Sequence, residues 1–564
     1  MKSGSLVTRF GAIALGVFLL MGAIWFLGFN RGSLPQGKVA APQAAMFIPR
    51  QAPLVLSLLV NPGKLATYRK LLTGQSGANL GQPIQTLLTK AGLDYDKDIQ
   101  PWVGDEITLA IASLDLDRQP NNGQQPGYLL ALKVNDVERS RAFLDGFWQR
   151  QATAGQALKV EQYQGVKLTS TQGKQPNWQP PKKRPPASLD AVATAMVGKE
   201  FVLVANSAKV LRDALNNVQA IDLGLASASY YQQAVDSLEQ PRIGFAFVNL
   251  PELAQWRLKS TAKPTITSPP VYDRLAVAIG ANQDGLLLEN ALITASGVDL
   301  PPLTPTLTAP VIALKYLPAT SALVAAGLDL QTTWTQLNQG IQGYPLLANL
   351  LGQSLADTGD RWGLDLSQDV FAWVKGEYGL GLVPSAQGRQ ADWVFVAEES
   401  PSTQPGLRQL DQIAAKQGFS AGALKVGTQD ISAWTKLITS VESAAAKPTG
   451  STLIQAEVVG AHLNLDNYTV LASTLDAINQ AVQPQSLLDQ SEFKQAIAPL
   501  AQPNNGYLYL DWPKLQPVLE QKLPLLQTIE GLSSPLFDHL RSLSLASYGR
   551  QGRIQRSQIF VRLS

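Results

Sequence analysis

The 564-residue sequence contains no cysteine and only two histidines, His462 and His539. The absence of thiols excludes disulfide bonds, cysteine nucleophiles and zinc sites built from thiolates. Two histidines are too few for a histidine-rich metal site, so only a mixed site of histidine and carboxylate ligands stays open. We therefore predict no metal and no other cofactor.

Charge is scarce as well. Lys, Arg, Asp and Glu make up 16% of the chain, and the net charge is only +3. A nucleic-acid-binding domain would carry a basic face, so we predict no nucleic-acid partner. A surface with few charges must depend on Gln, Asn, Ser and Thr for its polarity, and this composition fits contacts with other proteins.

Recognisable catalytic motifs are missing too. The sequence has no GxxxxGK[ST] phosphate loop and no Gly-x-Ser-x-Gly motif followed by a suitable histidine. Asp94 and Asp98, like Asp365 and Asp369, lie four residues apart, a spacing that fits turn and helix-cap roles as well as acid-base chemistry. We predict a protein without enzyme activity and assign no catalytic residue. A hydrolase without a recognisable motif is kept as an alternative, and it would need carboxylates or histidines that converge in a cleft.

The clearest feature that is present is an internal duplication. Residues 229–253 and 491–515 align in register, about 262 positions apart, and share a Gln-Pro…Gly…Pro pattern. The order Gly-Leu-Asp, Trp-Val and Glu over residues 92–106 returns over residues 363–377. A fixed spacing between similar segments is typical of a copied structural unit, so we predict two tandem homologous units.

Hairpin signals join most of the predicted strands, for example Asp284-Gly285 between two apolar runs. The pattern predicts an α+β fold in which each unit has a mostly antiparallel sheet with covering helices. The first unit is predicted to cover residues 47–297 and the second residues 311–564. A proline-rich linker over residues 298–310 joins them.

The N-terminal region predicts a membrane anchor. Residues 10–29 form an uncharged apolar run of about 30 Å as a helix, which matches the hydrocarbon thickness of a bilayer. We assign residues 1–32 to a cytoplasmic tip and transmembrane helix, and residues 33–46 to a flexible tether. A cleaved signal peptide is the alternative. The expected protein spans the membrane once, with its N-terminus in the cytoplasm and its bulk in the periplasm or thylakoid lumen.

The chain resembles an uncharacterised family of cyanobacterial membrane-anchored proteins, catalogued as domain of unknown function 3352. The resemblance rests on Phe47-Ile48-Pro49, the GLD…WV…E stretch, residues 197–201 (VGKEF) and the repeated Gln-Pro…Gly…Pro pattern. It covers nearly everything after the tether and implies a cyanobacterial envelope or thylakoid setting. It brings no catalytic residues.

Two groups of residues are candidates for structural or interaction roles. The first group recurs in both copies and consists of Trp102, Glu106, Trp373 and Glu377. A buried tryptophan that fills a core, with a glutamate that pairs locally, explains this recurrence without a ligand. The second group lies in the proline-rich loop 176–186 and consists of Lys182, Lys183 and Arg184. This loop fits either a solvated polyproline excursion or a docking segment for an acidic or aromatic-lined partner.

The function that fits these observations best is a non-catalytic scaffold or assembly protein that presents surfaces to protein partners in a membrane complex. The alternative is a carrier or sensor of an apolar ligand, such as a lipid or pigment, held between sheet and helices. Aromatic residues at alternate positions, such as Phe245 and Phe247, would then line a cavity of several hundred Å³. A scaffold would instead have a filled core.

Overall fold

The computed structural model describes residues 39–61, 94–119, 124–171, 192–255, 270–341, 363–384, 391–426, 429–441, 452–483, 485–522, 537 and 539–563. The predicted anchor at residues 10–29 lies outside this set, and so does the basic segment Lys182–Arg184. The prediction of a single-pass membrane protein is corrected by what the described residues contain. The longest of their helices, Val137–Thr153, has 17 residues, and none is both long and apolar enough to cross a bilayer.

The described strands, in chain order, are β1 (Leu54–Leu58), β2 (Val103–Ser113), β3 (Gly127–Val134), β4 (Leu158–Tyr163), β5 (Val166–Thr171), β6 (Ala193–Val197), β7 (Phe201–Ala205), β8 (Gly244–Asn249), β9 (Tyr272–Asn282), β10 (Gly285–Thr294), β11 (Leu323–Leu328), β12 (Glu377–Val383), β13 (Asp392–Glu398), β14 (Ser420–Val426), β15 (Gln429–Val441), β16 (Thr452–Leu465), β17 (Tyr468–Ala472), β18 (Gly506–Asp511), β19 (Leu540–Gln551) and β20 (Ile554–Leu563).

The described α-helices are α1 (Val137–Thr153), α2 (Ala208–Gln219), α3 (Ser229–Asp236), α4 (Leu250–Gln255), α5 (Leu330–Ile341), α6 (Thr403–Lys416), α7 (Leu475–Ala481), α8 (Ser491–Ile497) and α9 (Trp512–Lys522). Several of these helices begin directly after a residue whose side chain caps the helix N-terminus. Asp136 accepts a hydrogen bond from Arg139 N at the start of α1, and Ser207 accepts one from Lys209 N at the start of α2.

All twenty described strands belong to one antiparallel sheet. Pairwise hydrogen bonding gives the first ten strands the order β4-β5-β6-β7-β3-β2-β1-β8-β9-β10. The other ten follow the order β14-β15-β16-β17-β13-β12-β11-β18-β19-β20. The strand order of the first half therefore returns in the second half, ten strands later.

The two halves join through their last strands. β10 pairs antiparallel with β20, and the register runs from Gly285 opposite Arg562 to Ile293 opposite Ile554. The predicted α+β fold with a separate sheet in each unit is therefore wrong, because the halves build a single sheet. Hairpin signals predict which neighbours in sequence pair, but they leave the partner of an outer strand unspecified. The outer strand of the β9-β10 hairpin and the outer strand of the β19-β20 hairpin are therefore each other's hydrogen-bonding partner.

The sheet packs on both faces. Phe245 and Phe247 point to the face that carries α2 and α3, whereas Ala246 between them belongs to the core on the opposite face. The core on that opposite face is shared by the two halves, since it includes Leu288 of β10 and Val561 of β20. Alternate residues of a strand lie on opposite faces, so each half contributes to two cores.

The proline-rich segment 298–310 is bound to the second half. Leu303 pairs with the backbone of Arg550, and Leu307 with that of Asn504. The Arg550 guanidinium also donates to Pro301 O from Nε at 2.9 Å and from Nη2 at 2.6 Å. This segment therefore lies along the sheet instead of separating two bodies.

Candidate functional site

The recurring tryptophans occupy matching positions in the two halves. Trp102 is 1% exposed and its Nε1 donates to Asp98 O at 2.6 Å. Trp373 is 6% exposed and its Nε1 donates to Asp369 O at 2.8 Å. Helix α6 lies directly on the second indole, since a methyl group at Gly406 would come within 2.5 Å of Trp373 Cδ1. Both side chains pack into cores, and neither presents its indole to a ligand.

The aspartates beside these tryptophans form a repeated cap. Asp94 Oδ1 accepts from Asp96 N and Lys97 N, while Asp98 Oδ2 accepts from Asp94 N. In the second half, Asp365 and Asp369 make the same set of bonds. The predicted turn and helix-cap role of these residues is confirmed. The hydrogen bond that the Asp94 carboxylate accepts from the backbone amide of Lys97 lowers the pKa of Asp94.

The recurring glutamates hold the segment that precedes each first strand. Glu106 is 5% exposed and accepts from Gln43 N at 2.9 Å and Ala44 N at 2.7 Å. Glu377 accepts from Ala313 N at 3.0 Å, and from the hydroxyl of Tyr468 at 2.9 Å. Each carboxylate thus satisfies amides at the start of a short 3-10 helix, Gln43–Phe47 or Ile312–Tyr316.

A row of apolar side chains crosses the face opposite α2 and α3. Leu109 of β2 lies between Leu130 of β3 and Leu56 of β1, and Leu56 lies beside Ala246 of β8. We call these four residues the first leucine row. Leu109, at its centre, is 45% exposed.

The second half repeats this arrangement. Leu380 of β12 lies between Phe395 of β13 and Ala325 of β11, which lies beside Leu508 of β18. These four residues form the second leucine row. Leu380 is 39% exposed and Leu508 is 41% exposed. Leu109 and Leu380 each follow the recurring glutamate by three residues, so both halves leave a large aliphatic side chain open to solvent at the same place.

Short helices of the chain already pack on this face beside the rows. Leu250 and Leu253 of α4, three residues apart, share a core with Leu54, Ile111 and Val248 of the sheet. In the second half, Trp512 begins α9 at the matching position and is 5% exposed. The face therefore accepts helices that carry apolar residues at a spacing of three.

A buried polar cluster lies where the halves meet. Glu289 of β10 is 2% exposed and stands opposite Gln558 of β20. Glu289 Oε1 accepts from Tyr548 Oη at 2.5 Å and Arg556 Nη2 at 3.0 Å, and its Oε2 accepts from Gln240 N at 3.0 Å. Burial and the bond to Glu289 raise the pKa of Tyr548. Burial alone would lower the pKa of Arg556, but its bond to Glu289 raises it.

Arg242 lies beside this cluster and is 0% exposed. Its Nη2 donates to Val39 O and, at 3.2 Å, to Leu238 O, whereas Nε and Nη1 have no partner among the described residues. Burial lowers the pKa of Arg242, and the charge of Glu289 acts in the opposite direction. A pocket of about 430 Å³ lies against Arg242, residues 39–41 and the end of α3.

One further group of titratable residues converges in the second half. Trp434 Nε1 donates to Asp411 Oδ1 at 2.8 Å, and His462 Nε2 lies 3.3 Å from the same oxygen. No described hydroxyl is hydrogen-bonded to His462, so this pair lacks the nucleophile that a hydrolase triad needs. Among the described residues, no group of three or more metal-ligating side chains occurs.

Sequence reasoning missed the leucine rows and the junction cluster. Leu508 lies between Tyr507 and Tyr509, which are both buried, and an apolar residue at every position predicts burial on both faces. The apolar run therefore marked this strand, but it predicted that Leu508 would be buried in a core and not exposed. Phe245 and Phe247, which a carrier would use to line a cavity, are fully buried in the packed core.

The family model described as "Protein of unknown function (DUF3352)" matches residues 10–563. No curated protein matches the chain. Among solved structures, crystal forms I, IV and III of TP0453 match with 10%, 8% and 9% sequence identity and TM-scores of 0.23, 0.23 and 0.24. Each match covers 46% of this chain, and the three matches cover 82%, 81% and 82% of the TP0453 chains in the same order. Scores this low support no argument about fold or function.

Proposed function

The chain belongs to the DUF3352 family of proteins of unknown function, and we propose that it is a non-catalytic scaffold or assembly protein. Its two leucine rows would bind an amphipathic helix of a partner protein. The observation that carries this proposal is the exposure of Leu109 and Leu380 at matching positions of both halves. A cyanobacterial source is also part of the proposal, and it rests on the motif resemblance.

The exposed leucines support binding because partly exposed apolar side chains adjoin them, even though one end of each row, Ala246 or Phe395, is buried. In the second half, Leu508 adjoins Leu545, and Leu545 adjoins Ile559, all on the same face. Single exposed leucines are ordinary, but a contiguous apolar patch on a sheet marks an interaction surface. Neighbouring strands lie about 4.8 Å apart, so the rows form a ridged surface on which a helix can pack.

A helix is the occupant that this face fits best. The chain itself places α4 on the same face through Leu250 and Leu253, so a partner helix with leucines three or four residues apart would extend an existing layer. The charge near the rows is low because their strands carry mainly aliphatic side chains here. Apolar packing would then supply most of the affinity.

Photo-crosslinking identifies the occupant directly. With a benzophenone amino acid at position 508 of the full chain, we expect crosslinks to the apolar side of one amphipathic helix, mapped by mass spectrometry. Substitution of Leu380 by Glu places a charge in the centre of the second row. It is expected to weaken binding of a peptide with that helix sequence about 30-fold, the effect of losing an interface hot spot worth about 2 kcal/mol. Fluorescence anisotropy measures this change.

Leu437→Glu is the matched control, because Leu437 is 70% exposed on β15, away from both rows. It should leave the peptide affinity unchanged. A stoichiometric lipid or pigment in a solvent extract, with crosslinks only to that ligand, would instead favour the carrier. Crosslinks to a second copy of this chain, or equal losses for Leu380→Glu and Leu437→Glu, would contradict a partner helix.

A further inference from the structure

The pocket beside Arg242 lies on the face opposite the leucine rows, and it has an unusual imbalance of buried hydrogen-bonding groups. Among the described residues, Arg242 Nε and Nη1 at this pocket are buried donors without an acceptor, and so are Arg556 Nε and the Tyr231 hydroxyl, in residues that do not line the pocket. Buried donors without partners cost stability, typically about 1–3 kcal/mol each. Two unpaired donors on one fully buried guanidinium beside a pocket indicate that an acceptor from outside the chain belongs there.

The nearby carboxylates do not fill this role. Glu289 already accepts from Tyr548, Arg556 and Gln240 N. Glu239 is 68% exposed at its side chain and pairs with Arg556 at 2.9 Å. Among the described residues, the Arg242 guanidinium has hydrogen-bond acceptors only in the carbonyl oxygens of Val39 and Leu238, and it lies over the ring of Phe245 at 5.7 Å.

The pocket also has an acidic rim and an apolar wall. Asp236, at the end of α3, and Glu239 line its rim, while Val39, Val235 and Leu238 supply apolar surface. A simple anion would meet repulsion from the two acidic residues. A ligand with both a carboxylate and an ammonium group would satisfy Arg242 and the rim together.

We propose that this pocket binds an aliphatic α-amino acid. Its carboxylate accepts from Nε and Nη1 of Arg242, its ammonium group donates to Asp236 and Glu239, and its side chain packs on Val235 and Leu238. Entry requires residues 39–41 to shift, since Val39 O bonds Arg242 Nη2. The two bonds from Nε and Nη1 to a charged carboxylate are stronger than the single bond from Nη2 to the neutral Val39 carbonyl that is lost, and Nη2 keeps Leu238 O as its acceptor. The volume of about 430 Å³ is sufficient for a ligand of this size.

Isothermal titration calorimetry of the full chain with L-leucine tests this proposal. The two comparison probes are 4-methylpentanoate, which lacks the ammonium group, and 3-methylbutylamine, which lacks the carboxylate. Since a hydrogen bond to a charged group is worth more than a neutral one, each probe is expected to bind at least about tenfold more weakly than leucine. No heat with leucine, or equal binding of all three compounds, would overturn the proposal.

Two substitutions assign the contacts. Asp236→Asn lies on the exposed rim and is expected to weaken leucine binding at least about threefold, because an ammonium contact is lost, while 4-methylpentanoate binds as well as before or more tightly, because a repelling charge is removed. Asp213→Asn is the matched control, since Asp213 is an exposed aspartate on α2 whose one ion pair within the described residues is with Lys209. Arg242→Met should abolish binding of leucine and 4-methylpentanoate. If Arg242→Met does not fold, the Asp236→Asn variant tests the site instead. An unchanged affinity of Asp236→Asn for leucine would contradict the proposed site.

Discussion

Replacing Glu289 with Met is expected to lower the free energy of unfolding by at least about 2 kcal/mol, because it removes the buried carboxylate that accepts hydrogen bonds from the half-buried Tyr548 and Arg556 side chains and from Gln240 N. Glu289 is 2% exposed and accepts three hydrogen bonds, two of them from Tyr548 and Arg556 of the other half. Urea denaturation of the full chain, followed by tryptophan fluorescence, measures the loss.

Glu239→Met is the control for this prediction. Glu239 pairs with the same Arg556 at 2.9 Å, but its side chain is 68% exposed. An exposed ion pair contributes about 0–1 kcal/mol, so the control variant should stay close to the parent chain. If the two substitutions cost the same, the junction is not a buried cluster and its role in joining the halves is wrong.

Trp102→Ala and Trp373→Ala are each expected to cost about 3–5 kcal/mol, since each removes a large side chain from a packed core. Trp102 lies 5.4 Å from the ring of Phe143, and Trp373 lies 6.4 Å from that of Phe395. The effects should be of similar size because the two residues make the same indole-to-carbonyl bond in each half. The same denaturation experiment measures both.

Trp102→Phe separates packing from hydrogen bonding. It keeps most of the apolar area and removes the donor to Asp98 O, so a loss of only about 1–2 kcal/mol is expected. Stability within about 0.5 kcal/mol of the parent for Trp102→Ala would show that Trp102 does not fill a core. A role in contacting a partner would then have to be considered again.

Local structure could be predicted from the sequence where a residue acts on its neighbours. Asp94 and Asp365 cap the turns that their positions indicate, and Gly198 supplies the left-handed turn, at φ 59°, between β6 and β7. The register of β9 with β10 follows from the short turn between Asn282 and Gly285. These features depend on a few consecutive residues, so the sequence determines them directly.

The pairing of β10 with β20 could not be predicted, because it joins residues more than 250 positions apart with no turn between them. Glu289 reads as an ordinary polar residue in a strand, and its burial becomes evident only when Tyr548 and Arg556 lie beside it. Arg242 likewise follows a proline in a loop and gives no sign that it is fully buried. Long-range contacts of this kind decide both the fold and the two candidate sites.

An engineered disulfide across the junction tests the single continuous sheet most directly, since the chain has no cysteine of its own. Asn290 of β10 stands opposite Ser557 of β20, and opposite residues of antiparallel strands have Cα atoms about 4.5–5.5 Å apart, within disulfide range. Ser547 of β19 stands opposite Ser557 on its other side, so it lies two strands from Asn290, about 10 Å away. The sheet predicts a disulfide in folded Asn290→Cys/Ser557→Cys, detected by intact mass and peptide mapping, and none in Asn290→Cys/Ser547→Cys. Failure of the first pair to crosslink in the folded chain, or equal crosslinking of both pairs, would contradict it.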